Sequence, residues 1–132
     1  MIPELPRPRS VRTVPAGLAA LLLGLGLSAC GSNDPPLPPL AAEGREIARD
    51  SGCSACHGRN GDGGVGPAWV GLYGGSVELE GGEEITVDDD YLRRSITDPA
   101  AEKVAGFSVV MPNNNLEGDE IEAVLAYIRE LQ

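Results

Sequence analysis

The protein has 132 residues, of which 20 are acidic and 10 basic, giving a formal net charge of −10 at pH 7. This length allows one modest domain, and the acidic balance excludes nucleic acid as a partner, because phosphate recognition depends on clustered lysine and arginine. Few bulky side chains are available for a core, because the chain has 18 glycines and 11 prolines but only one Trp, three Tyr and one Phe. The number of cysteines, three, is odd and needs an explanation.

The first thirty residues have the layout of an export signal. Three arginines precede an apolar run over 18–27, which is too short to span a bilayer. The run ends in Leu27-Ser28-Ala29-Cys30, which resembles the lipobox of bacterial lipoproteins, whose cysteine receives diacylglycerol before cleavage. We therefore predict a lipoprotein signal peptide over 1–29 and lipidation of Cys30. The alternatives are an ordinary signal peptide with a chance cysteine and a retained transmembrane anchor.

Residues 30–40 are then predicted to be a lipidated, proline-rich tether that spaces the domain from a membrane. Four prolines between Gly31 and Leu40 favour an extended polyproline II segment of roughly 30 Å, and simple disorder is the alternative. Loss of the signal peptide removes three arginines and one glutamate, so the net charge of the exported chain falls to −12. We expect the mature protein to be anchored at a membrane that faces the periplasm or the cell exterior.

A short helix is predicted over 41–51, and it leads into Cys53-Ser54-Ala55-Cys56-His57. Cys-x-x-Cys-His is the attachment sequence for c-type haem: the two thiols reach the two vinyl groups, and the adjacent imidazole reaches the iron. The alternatives are a thioredoxin-like redox pair, a structural zinc site and a plain disulfide. The motif lacks a flanking strand for the first, a fourth ligand for the second, and a loop long enough to matter for the third.

The remaining elements follow in chain order. Residues 58–75 contain eight glycines and predict a loop, and residues 77–87 allow a small β-hairpin over Gly81-Gly82, with an acidic surface loop as the alternative. A helix capped by Asp88 or Thr86 is expected to run to Thr97. Apolar residues at helical spacing predict a final helix, with acidic residues at its start; they are Ile121, Val124, Leu125, Ile128 and Leu131.

Met111 is the candidate second ligand of the iron, because it is the only methionine besides Met1. Pro112 follows it and three asparagines come next, which is typical of an exposed, non-helical loop. Pairing of His with Met is a known ligation of cytochromes c. The alternative is that Met111 only fills the core.

Together these motifs resemble a small class I cytochrome c over residues 41–132. The landmarks are Gly44, CSACHG at 53–58, Gly66-Pro67, Gly71-Leu72-Tyr73-Gly74, Met111-Pro112 and a last helix with Tyr127. Residues 89–112 are also similar to the cytochrome c domain fused to subunit II of some bacterial cytochrome c oxidases. No histidine, cysteine or methionine is left over for that subunit's copper centre, so the resemblance extends to the haem domain alone.

The resemblance implies an all-α, cytochrome c-like fold of three to five short helices around one covalently bound haem c. It also implies that the carbonyl of Pro67 accepts the outer imidazole N–H of His57, where a simple turn proline is the alternative. By analogy, the last helix crosses the helix that contains Gly44, whose missing side chain allows close approach. The role of Trp69 stays open between haem contact and partial exposure.

The function expected is that of an electron carrier, not an enzyme. With His57 and Met111 on the iron, one-electron exchange is the chemistry available. We expect a membrane-tethered carrier that passes electrons to a terminal oxidase or another respiratory complex; the alternatives are a bound accessory subunit of an oxidase, and a haem sensor or peroxidase in which Met111 dissociates. The redox partner should present a basic face, unless the acidity is an adaptation to a salty medium.

Overall fold

The computed structural model describes residues 36–132. The predicted signal peptide, Cys30 and the first part of the tether lie outside the described residues. Within 36–132 no helix combines the length and the apolar character needed to cross a membrane. Among the described residues, four helices and one two-stranded antiparallel sheet make up the fold, which confirms the predicted mostly helical architecture. The elements are α1 Pro39–Asp50, α2 Ser54–His57, β1 Ser76–Glu78, β2 Glu84–Thr86, α3 Asp89–Thr97 and α4 Asp119–Glu130.

Helix α1 begins at Pro39, inside the segment expected to be an extended tether. Proline is compatible with the first helical position, because the N–H that it lacks has no intrahelical partner there and its fixed φ suits a helix. The prediction of an extended tether through Leu40 was therefore wrong for its last two residues. Pro38 before it keeps an extended conformation, with φ −53° and ψ 150°.

Helices α1 and α4 cross at closest approach where α1 has Gly44. A Cβ atom at Gly44 would lie 1.8 Å from the carbonyl oxygen of Ala123, so only glycine permits this backbone contact. The predicted crossing of these two helices is confirmed. The apolar face of α4 is buried in this packing, as its periodicity predicts, through Ile121, Val124, Leu125 and Ile128.

Helix α3 starts where the sequence predicts, with Asp88 as its N-cap. The Asp88 carboxylate accepts a hydrogen bond of 2.8 Å from the backbone N–H of Tyr91. Two ion pairs join α3 to α4, Arg93 with Glu122 and Arg129 with Asp89, each with a closest N···O distance of 2.6 Å. Together with buried Leu92 and Ile96, these contacts make α3 a fixed wall for the site described below.

The hairpin is present, with Val77 opposite Ile85, but its turn is longer than the predicted two glycines. The ladder stops at Glu78, and Leu79 instead forms an antiparallel bridge with Val104. The backbone N–H of Glu80 donates to the carbonyl of Lys103, and the same two side chains form an ion pair. The hairpin therefore anchors the segment after α3, a long-range pairing that no local pattern indicates.

Candidate functional site

The two cysteines of the motif lie at the short helix α2: Cys53 is its N-cap residue and Cys56 is on its single turn. The backbone N–H groups of Cys56 and His57 both donate to the carbonyl of Cys53, at 3.2 and 3.0 Å. Residues three apart on a helical turn share a face, so this turn presents both thiols on one side. Both thiols are free and half-buried, and burial raises the pKa of the Cys53 thiol, which keeps it protonated at neutral pH.

The imidazole of His57 is buried, with 8% of the residue exposed, and three neighbours fix its orientation. Its Nδ1 lies 2.8 Å from the carbonyl oxygen of Pro67. The indole of Trp69 stacks on the ring, with centroids 4.7 Å apart and planes 19° from parallel. The Cα of Gly66 approaches so closely that an added Cβ would lie 3.1 Å from an imidazole carbon.

This environment decides which ring nitrogen of His57 is available to a metal. A carbonyl oxygen only accepts hydrogen bonds, so Nδ1 carries the proton and Nε2 keeps its lone pair. Burial lowers the pKa of His57, against the smaller opposing effect of the Pro67 carbonyl. The side chain is therefore a neutral imidazole at pH 7, which is the form that ligates metals.

The glycine-rich loop after α2 holds Pro67 and Gly66 in place through backbone hydrogen bonds. The N–H of Gly66 donates to the carbonyl of Cys56 at 3.0 Å, and the N–H of Gly63 donates to that of His57 at 2.8 Å. Gly58, with φ +84°, makes the sharp departure from α2 that this return requires. The loop thus folds back over the helix that carries the thiols.

A cleft extends from α2 to the segment after α3, and it contains every predicted site residue within 36–132. Two adjoining cavities form it, and Cys53, His57 and Met111 line both. The first cavity is also lined by Pro67 and most of the apolar wall, and the second by Cys56. The wall is mostly apolar, from residues such as Leu92, Ile96, Pro99, Val104, Phe107 and Val110. Cys30 lies outside the described residues.

The residues of this cleft fit a c-type haem. Two thiols on one face, a neutral imidazole with one free nitrogen, and a thioether are the donor set that such a group requires. Apolar walls suit a flat apolar ring. Ser95, whose hydroxyl is buried near that of Tyr91, adds a polar group to this wall. No cluster of three His, Cys, Asp or Glu side chains within 36–132 offers a separate metal site.

The fold and the cleft define a small, mostly helical protein built around a covalently attached cofactor. A family model described as cytochrome c matches residues 41–132, and the chain belongs to that family. Haem c, with its iron, is therefore the cofactor, and the family's members carry electrons and are in general not enzymes. No curated protein is a significant match to the chain.

Sequence reasoning left the role of Trp69 open and missed two other residues. Trp69 is 6% exposed, stacks on His57 and meets Tyr127 edge-on with ring centroids 6.1 Å apart. Neither Ser95, on the cleft side of α3, nor Asn114, in the loop after Met111, has a local pattern that predicts its role. The i, i+3, i+4 spacing of Ser95 with Leu92 and Tyr91 was the one available signal for its position.

Proposed function

We propose that the protein is a one-electron carrier whose haem is bound through Cys53 and Cys56, with His57 and Met111 as the axial ligands of the iron. The observation that carries this proposal is that the cleft brings Met111, from a distant loop, to the same cavities as the three residues of the motif. When bound, the haem accepts and releases single electrons as its iron changes between the ferrous and ferric states.

In this proposal the role of Pro67 is to orient His57. Its carbonyl accepts the Nδ1 proton, which fixes the tautomer and makes Nε2 a stronger donor to the iron. Trp69 and Gly66 restrict rotation of the ring from its faces. A histidine held this firmly would not need to reorganise when the charge of the iron changes.

The role of Met111 is to close the remaining axial position. Half-buried in the cleft, its thioether would hold the iron in place of other small ligands, which favours electron transfer over the sensor or peroxidase function. The test is carbon monoxide binding to the reduced holoprotein, together with the thioether-to-iron absorption band of the oxidised form. We expect the band to be present and carbon monoxide to bind slowly.

Two variants make this test specific. Met111→Ala should lose the band and bind carbon monoxide rapidly, whereas Val70→Ala, at a half-exposed position that does not line the cleft, should behave like the wild type. Rapid, complete carbon monoxide binding by the wild type at neutral pH would instead support sensing or catalysis.

The charges of the surface support a basic-faced redox partner, such as a terminal oxidase. Six of the seven basic side chains in 36–132 form ion pairs with neighbouring carboxylates, and only Arg59 does not. The excess of carboxylates is therefore what this part of the surface presents to a partner. Electron transfer to a basic acceptor protein should slow as salt is added, and rates that stay flat would contradict electrostatic docking.

The proposal places the carrier at a membrane facing the periplasm or cell exterior, through a lipid on Cys30 and the tether that follows. The lipobox resemblance and the basic, apolar start of the chain support this placement. Labelling with a radioactive fatty acid tests it: the full chain should incorporate label and fractionate with membranes, and Cys30→Ser should do neither. Label retained by Cys30→Ser would exclude this attachment point.

A further inference from the structure

Met111 lies in a segment that has almost no backbone support. No residue from 108 to 115 takes part in a backbone–backbone hydrogen bond with the rest of the described chain. The two valines before Met111 are about half exposed, at 52% for Val109 and 49% for Val110. A segment is held weakly when its backbone makes no hydrogen bonds to other backbone groups and it buries little apolar area. Side chains must therefore fix this loop.

One side chain supplies that support. The Asn114 amide nitrogen donates a hydrogen bond of 2.8 Å to the carbonyl of Ile96, and its oxygen accepts one of 3.1 Å from the N–H of Leu116. Ile96 lies in the last turn of α3, where carbonyls have no intrahelical donors, so the first bond also satisfies a group that would otherwise lack a partner. Asn114 therefore ties the loop to a helix that is itself fixed against α4.

The chain offers an internal comparison, because Asn114 is the middle of three asparagines. Asn113 and Asn115 are exposed, and neither side chain makes a hydrogen bond with the described residues. Asn114 is half-buried, makes both of the bonds above, and is the one of the three that lines both cavities of the cleft. Pro112 is the first of only two residues that separate Asn114 from Met111, and its fixed φ makes this connection stiff. A displacement of Asn114 is therefore passed on to Met111.

We propose that Asn114 is a positioning residue that holds the Met111 loop against α3 and so sets the strength of Met111 ligation. This inference rests on the proposed function, because it takes Met111 to be an axial ligand. Asn114 acts through the loop backbone and does not itself need to contact the haem. Loss of its two bonds should populate a state in which the loop is open and Met111 is displaced.

The test uses the full chain with haem attached, and measures the rate of carbon monoxide binding to the reduced form. A net hydrogen bond corresponds to roughly fivefold in an equilibrium constant, so Asn114→Ala should bind carbon monoxide about 5- to 25-fold faster than the wild type. The thioether-to-iron band should weaken in the oxidised form, and the reduction potential should fall, since Met ligation raises it. Asn113→Ala and Asn115→Ala are the matched controls and should show none of these changes.

Asn114→Asp separates the two bonds and protects the test from misfolding. It keeps the shape of the side chain and the acceptor for Leu116, but replaces the donor to Ile96 with a second acceptor. Asn114→Asp should accelerate carbon monoxide binding at least fivefold with unchanged helical circular dichroism. If Asn114→Ala does not fold, the rate measured for Asn114→Asp tests the inference by itself. Rates within twofold of Asn113→Ala for both variants would overturn the inference.

The wild type distinguishes failure of this inference from failure of the proposed function. A wild type without the thioether-to-iron band refutes Met111 ligation, and the inference falls with it. A wild type that shows the band, with Asn114 variants indistinguishable from the controls, refutes the positioning role alone.

Discussion

Replacement of Gly44 by alanine tests the helix crossing on which the whole fold rests. At an exposed helical site, glycine to alanine stabilises a protein by up to about 1 kcal/mol through helix propensity. At Gly44 the new methyl would lie 1.8 Å from the carbonyl oxygen of Ala123 and 2.8 Å from the N–H of Val124, where ordinary contact begins at 3.4 Å. Both neighbours are backbone atoms, so no rotamer change can relieve the clash.

The magnitude follows from these distances. The helices would have to separate by about 1.6 Å, a large shift in a close-packed interior. Overpacking of this kind costs about 3 kcal/mol at the upper end of its usual range, and the gain in helix propensity returns about 1. The net loss is about 2 kcal/mol, which for a domain of this size lowers Tm by about 10 °C.

Thermal unfolding of the haem-loaded protein, followed by helical circular dichroism, measures this loss. Glu43→Ala, at the exposed position next to Gly44, is the control and should change stability by less than about 0.5 kcal/mol. The sign of the effect is decisive, because propensity and packing act in opposite directions. A Tm that is unchanged or higher in Gly44→Ala would show that α1 and α4 do not meet at this residue.

Three further predictions concern the α3 cap, acid stability and dependence on the cofactor. Asp88→Ala removes the N-cap of α3 and should lower the free energy of unfolding by about 1 kcal/mol in guanidinium titrations. Hydrogen bonding from the Arg129 guanidinium lowers the pKa of Asp89 below its usual 3.8. The ion pair therefore stabilises the fold fully above pH 3.8, and this contribution is lost as the pH falls through the lower pKa of the folded state. Asp89→Asn should therefore reduce stability by more at pH 7 than at pH 2. Cys53→Ala with Cys56→Ala should yield protein without bound haem and with little helical circular dichroism, because the core is thin without it.

Each of these has an outcome that contradicts it. An unchanged unfolding midpoint in Asp88→Ala would mean that the cap is not formed in solution. Equal losses for Asp89→Asn at pH 7 and pH 2 would remove the ionic explanation of the pair. A well-folded double-cysteine variant would show that the chain builds its core without the cofactor.

Local chemistry is what made most of the site predictable. The spacing of Cys53, Cys56 and His57 specifies two thiols and one imidazole within a single turn, whatever the rest of the chain does. The cap at Asp88 and the apolar face of α4 are also properties of a few adjacent residues, which is why their positions agree with the structure. The resemblance placed Gly44 at the helix crossing, and the structure adds the distance: a Cβ there would lie 1.8 Å from the carbonyl oxygen of Ala123.

The features that could not be predicted depend on contacts between residues distant in sequence, or on which of several locally equivalent residues or conformations the fold selects. Leu79 forms a bridge with Val104, and nothing near either residue in the sequence indicates the other. Of the three consecutive asparagines, only Asn114 is turned inward, because its amide can reach the carbonyl of Ile96. Pro39 could equally have ended a tether or begun a helix, because proline suits both.

Covalent attachment of haem at Cys53 and Cys56 is the central claim, and one measurement addresses it directly. The full chain, produced together with haem-attachment machinery, is analysed by its pyridine haemochrome spectrum and by the intact mass of the denatured protein. We predict the spectrum of a haem with both vinyl groups saturated, and a mass increased by one haem per chain that survives acidic acetone extraction. Haem that is extracted, or a spectrum with an unreacted vinyl group, would contradict attachment through both cysteines.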